Sequence, residues 1–213
     1  MIWLSLAMAI FLGALYLCPP SAFIKPPLSW LAPATILFLV IAWNISPSLP
    51  GQPAGKFYGL IFHFYGASLL TAMFGPAIAL AILFPVAFLG IYAIQGNYEE
   101  AAQHYLMVCV LPTLFAYLSI KIIQRFIPKH LFVLILGNGY VAAFLSVILS
   151  GAFLLVGKFV MGEANQLDLE GWFLGLIIIA FMEGSLSGML LAILLIFRPQ
   201  WVSTYNEDAY MSR

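Results

Sequence analysis

One of the three histidines, His63, lies inside an apolar run, in FHFYGASLLTAMFGP over residues 62–76. An ionisable side chain in a run of lipid length is costly unless it lines a cavity or finds a partner, which makes it a candidate for function. Read as a helix, the run puts Gly59, His63 and Gly66 at i, i+4 and i+7 on one face. Small residues above and below the imidazole would then admit a neighbouring helix. Two chemistries fit, a hydrogen bond across a helix interface or a bond to a metal. His104, directly after Gln103, opens a second apolar run. Neutral imidazole is a common ligand for zinc, copper and nickel, so two converging imidazoles would make a transition-metal site. No HxxxH spacing joins them, and His104 can also be read as a loop-proximal side chain near the headgroups. His130, beside Lys129, reads as interfacial.

Glu183, in FMEGSLSGML, is the one carboxylate in the middle of an apolar run, where an ionised group costs at least ~2.5 kcal/mol. It must be protonated, paired or facing water. Asn138, in GNGY, falls at a similar depth, so a Glu183–Asn138 hydrogen bond locking two helices is one reading; a proton or cation relay is the other. Gly184 and Gly188 form a GxxxG beside it, a close-packing signal. Cys18 and Cys109 lack CxxC or zinc-ligand spacing and read as small hydrophobes. Neither HExxH nor GxSxG occurs, and Ser185 and Ser187 have no histidine partner, which argues against a hydrolase. The absence of GxxxxGK[ST] excludes ATP binding by a P-loop in this chain. Axial ligation of a b-type haem by His63 and His104 is a further possibility.

The elements that must position these residues are membrane helices. Of 213 residues, 64% are hydrophobic and 8% charged, whereas a soluble domain carries roughly 25% charged residues. The formal net charge is zero, which removes any case for nucleic acid as a partner. Apolar runs near the ~20 residues a span needs predict an all-α, polytopic single domain over 1–213 with about seven transmembrane segments. These are 1–18, 28–45, 58–74, 77–95, 104–124, 131–157 and 171–197. The first is read as a real helix, not a signal peptide, since it lacks a basic start and runs into Cys18-Pro19-Pro20. The link 19–27 reads as extended, the link 46–56 as loop, and segments three and four as a tight hairpin about Gly75-Pro76. Lys25, Lys121, Arg125, Lys129, Arg198 and Arg213 fall on one side and only Lys56 and Lys158 on the other, which predicts an N-out, C-in orientation. His63, His104 and the Met1 amine then share the outer half. Trp3, Trp30, Trp43, Trp172 and Trp201 read as an aromatic belt, and Ala9/Gly13 as a packing or docking face.

The block HFYGASLLTAMFGP resembles the H-x-x-G-A-(T/S)-L-L-T-x-x-F-G-P block of the cobalt/nickel permease family, the CbiM/NikM type. FMEGSLSGMLLAILLIFRPQWVSTYNEDAYM is similar to that family's E-x-x-x-(T/S)-G block followed by R-P-x-W-V, in its divergent proteobacterial branch. Pro112 and Asn138 fall where that branch has its L-P and V-N-A elements. The resemblance covers residues 57–211; 1–56 match only as two hydrophobic helices. It implies an integral, multi-pass component of a bacterial inner membrane that captures cobalt or nickel for an energy-coupling-factor ABC transporter. The lipid bilayer, a coupling membrane subunit and ATPase subunits would be its partners, the divalent metal its substrate, and no organic cofactor or enzymatic activity is implied. In the family an N-terminal Met-His pair and a histidine of the third-helix block hold the metal. His63 matches the latter; the former is incomplete, because position two is Ile2. The family's G-x-N element aligns on His104. The implied site is therefore His63 and His104, with the Met1 amine as third ligand, and Asn138 and Glu183 as buried polar residues. The alternative is a membrane accessory or assembly protein that kept the fold and lost the metal site.

Overall fold

The computed structural model describes residues 1–18, 20–45, 51, 56–95, 97–162, 168–207 and 210. Among the described residues seven helices carry the fold: α1 (Ile2–Leu17), α2 (Leu28–Asn44), α3 (Ala67–Phe74), α4 (Pro76–Gln95), α5 (Tyr98–Phe126), α6 (Leu131–Val160) and α7 (Leu169–Phe197). A two-stranded antiparallel hairpin, β1 (Lys56–Phe57) and β2 (Leu60–Ile61), precedes α3. The last three helices have 29, 30 and 29 residues, and at ~1.5 Å per residue each is longer than the ~30 Å hydrocarbon core of a bilayer. Along their outward faces Phe153, Val156, Ile177, Phe181 and Ile193 are exposed, an apolar surface of a kind that water-soluble monomers rarely present. The chain has the build of an all-α membrane protein.

Local chemistry sets the helix ends. Asn97 caps α5 by accepting from the Glu99 amide (3.0 Å), His130 Nδ1 caps α6 by accepting from Phe132 (3.1 Å), and Asp168 caps α7 by accepting from Gly171 (3.0 Å). His130 thus has a structural task that its interfacial position alone did not reveal. Two helices carry a π-helical stretch, Tyr105–Val110 in α5 and Leu134–Val141 in α6. The first ends two residues before Pro112, which has no N–H to return to the Val108 carbonyl, and a wider turn absorbs the fault. The second contains Gly137 and Gly139. A Cβ at Gly139 would lie 2.9 Å from the Gly188 Cα, so α6 and α7 touch nearly backbone to backbone there. The GxxxG glycines Gly184 and Gly188 are therefore spent inside the protein, against Tyr140. On α1, Ala7 and Ala14 are buried while Ala9 and Gly13 face outwards, which removes the internal-packing reading of the latter pair.

Segment three is where the structure departs most from a regular bundle. Residues 58–74 do not form one spanning helix. Tyr58 and Gly59 have φ of +49° and +81° and turn the hairpin, and Gly66, at +72°, blocks the helix from extending backward past Ala67. Gly59, His63 and Gly66 consequently share no helical face. The run still travels the length of α7. Tyr58 packs at Gly171 and Phe57 at Gly175, the Tyr65 and Gly66 amides meet Glu183, and Met73 meets Ser203 beyond the helix end. α3 itself is enclosed by α4, α5, α6 and α7, and Gly75 alone joins it to α4.

Smaller corrections follow the same logic. α5 begins at Tyr98, six residues earlier than expected, which moves His104 from a helix mouth into the bundle. Link 19–27 contains a 3-10 turn, Pro20–Ala22, where an extended strand was expected. Most of link 46–56 lies outside the described residues. Trp43 and Trp172 are buried and belong to no aromatic belt. A cavity of about 740 Å³ between α1, α2 and α4 is lined by apolar side chains such as Phe11, Phe23, Pro33 and Phe84. Neither His63 nor His104 lines it.

Candidate metal centre

Three elements converge where α2 ends. The irregular stretch 62–66 supplies His63, the first turns of α5 supply His104, and the last turn of α2 supplies Trp43. The His63 and His104 ring centroids are 5.4 Å apart, with planes inclined by 30°. The Trp43 indole stacks on His63 at 4.5 Å and meets His104 at 4.9 Å. The two imidazoles therefore share an aromatic wall, a contact worth about 0.5–1.5 kcal/mol per pair beyond its buried area.

The nitrogen atoms define the chemistry. His63 Nδ1 lies 3.2 Å from the Phe64 carbonyl. A carbonyl accepts and cannot donate, so this bond puts the ring proton on Nδ1 and leaves a lone pair on Nε2. His63 Nε2 and His104 Nε2 are both buried and have no hydrogen-bond partner among the described residues. Buried polar atoms are ordinarily paired, and orphaned ones need a reason. Two such nitrogens on neighbouring rings are donor atoms of the kind that can ligate a transition metal.

Irregular backbone in the bundle interior leaves N–H and C=O groups that neither water nor lipid can satisfy, at several kcal/mol each, so it persists only where side chains stand in. Glu183 Oε2 accepts from the Tyr65 amide at 2.8 Å, and Oε1 from Gly66 at 3.0 Å. The Phe64 carbonyl accepts from Trp43 Nε1 at 2.8 Å, and the Ile61 carbonyl accepts from the Tyr65 hydroxyl at 3.3 Å. Glu183 does not bond Asn138, whose Nδ2 and Oδ1 are both buried without a partner among the described residues. The expected helix lock between them is replaced by a clamp from α7 onto irregular backbone, which no helical reading of segment three allowed.

Met1 is not gathered into this group. Its amine pairs with the Glu99 carboxylate, and the residue is 94% exposed. Glu99 lies five residues before His104 in α5, about 7 Å along the axis. Among the described residues no set of three or more His, Cys, Asp or Glu side chains is arranged to hold a metal.

No family model matches the sequence, and neither a curated protein nor a solved structure matches it.

Trp43 is the site residue that sequence reasoning missed. The available signal was positional, since Trp43 ends the second segment on the side where both histidines were expected. A tryptophan near a span end reads first as a headgroup anchor, and only burial distinguishes the two.

Proposed function

We propose that this protein captures a transition-metal cation between His63 and His104 in a multi-pass membrane domain. It does so as the substrate-binding component of an energy-coupling-factor type of ABC transporter. What supports the reading is the ring pair, 5.4 Å between centroids with both Nε2 atoms enclosed and unpartnered among the described residues. Resemblance of HFYGASLLTAMFGP to the cobalt/nickel permease block points to the same histidine and to a divalent ion of the cobalt or nickel class. Energy for transport would come from ATPase subunits acting through a coupling membrane subunit. In this arrangement the run 57–74 would cross the membrane as hairpin, irregular stretch and half-helix, a broken segment of the sort that builds substrate sites in transporters.

Titration of the detergent-purified chain with nickel, cobalt and zinc tests this. One site per chain is expected in the wild type, weakened at least about 100-fold in His63→Ala if loss of a ligand costs more than the 10–100-fold of an outer-shell change. Equal affinity in the two proteins contradicts it.

A second reading is favoured by Ile2 and by the Met1 amine, which Glu99 already engages. It makes the protein a membrane accessory factor on the same scaffold. Absence of metal binding in the wild type would favour it.

A further inference from the structure

Glu183 and His63 touch opposite ends of one peptide group. The N–H of the Phe64–Tyr65 peptide donates to Glu183 Oε2 at 2.8 Å, and the carbonyl of that same peptide accepts from His63 Nδ1 at 3.2 Å. Trp43 Nε1 donates to this carbonyl as well, at 2.8 Å, filling its second lone pair. Hydrogen bonds in series polarise one another, so an acceptor held on the N–H makes the carbonyl a stronger acceptor in turn. The next amide, Gly66, holds the other carboxylate oxygen at 3.0 Å and prevents the group from swinging away.

We propose that Glu183 is a positioning residue for His63, acting through the Phe64–Tyr65 peptide group to keep the ring proton on Nδ1 and the Nε2 lone pair free. In metal sites a carboxylate or carbonyl on the second ring nitrogen commonly fixes the tautomer and raises the basicity of the ligating one. Here the carbonyl is the direct partner, and the carboxylate stands one peptide behind it. This inference rests on the reading of His63 as a ligand for its purpose, but the tautomer it demands exists without any metal. Glu183 also solves a folding problem, because Tyr65 and Gly66 would otherwise be unpaired amides in the bundle interior. One side chain therefore ties the irregular backbone to the nitrogen that backbone presents.

The test uses the full chain in detergent micelles with 15N-labelled histidine; only three histidines are present, and His63→Ala assigns the resonances. The wild type should show His63 protonated on Nδ1 and bare on Nε2. In Glu183→Gln the amide oxygen can accept from one N–H, but its NH2 opposes the other. Its His63 should lose that tautomer preference, His130 should be unmoved, and Co(II) affinity should fall about 10–100-fold. A wild-type His63 protonated on Nε2 overturns the proposal, and so does a folded Glu183→Gln protein that keeps the wild-type tautomer. If Glu183→Gln does not fold, the wild-type tautomer still decides against the proposal when the proton is on Nε2. With the wild-type proton on Nδ1 and Glu183→Gln unfolded, Trp43→Phe, which leaves the carboxyl group in place, must retain the Nδ1 proton, and its loss refutes the relay. Failure of wild type to bind Co(II) counts against the metal reading alone, since the tautomer is scored in metal-free protein.

Discussion

The two ends of α3 are held by the same partner, α7 and the chain that follows it, with different chemistry. At the N-terminal end the Glu183 carboxylate accepts from Tyr65 and Gly66, and Glu183 is fully buried. At the C-terminal end the Ser203 amide donates to the Met73 carbonyl at 2.7 Å, and the Thr204 hydroxyl donates to the Ala72 carbonyl at 2.9 Å. Helix starts leave donors and helix ends leave acceptors. The start of α3 lies in the bundle interior, beyond reach of water, and a carboxyl group with two acceptor oxygens is recruited from mid-helix. Its end meets the chain beyond Arg198, where neutral donors suffice. The difference teaches that the intramembrane carboxylate belongs to a short helix made necessary by the irregular backbone that carries His63.

That contrast fixes an order of effects. Glu183→Ala removes two hydrogen bonds and strands two buried amides, and should cost about 3 kcal/mol of unfolding free energy or more, at about 1–3 kcal/mol for each amide left unsatisfied. Gly66→Ala should cost about 2 kcal/mol, because an L residue is strained at φ +72° and the new Cβ would sit 3.1 Å from Leu39 Cδ2. Thr204→Val, which removes one neutral, partly buried bond, should cost only about 1 kcal/mol. Denaturant titration in mixed micelles measures all three. A Thr204→Val cost equal to that of Glu183→Ala would erase the distinction between the ends; a Glu183→Ala cost concentrated in metal affinity would sharpen it.

Much of this architecture is legible in the residues themselves. Uninterrupted apolar runs announce α1, α2 and α4 to α7, with ends displaced by a few residues where Asn97 or Asp168 supplies a cap. Segment three is not legible as it stands. Its hydropathy is that of a span, and left-handed φ at Tyr58, Gly59 and Gly66 turns it into a hairpin, an irregular stretch and a half-helix. Glycine permits that conformation without demanding it. The site divides in the same way. His63 and His104 are visible as ionisable groups in apolar runs, and their joint placement was expected. Trp43 was concealed by the habit of tryptophan to sit at span ends. The partner of Glu183 was concealed because it is backbone, which carries no residue-type signal.

The central claim, that the two imidazoles hold one ion together, is tested most directly by X-ray absorption at the metal edge of the cobalt-loaded protein. A first shell that includes nitrogen at about 2.0–2.1 Å is expected. Multiple scattering from two imidazole rings should accompany it in the wild type, falling to one ring in His104→Ala. A wild-type spectrum with one imidazole ring or none would contradict it.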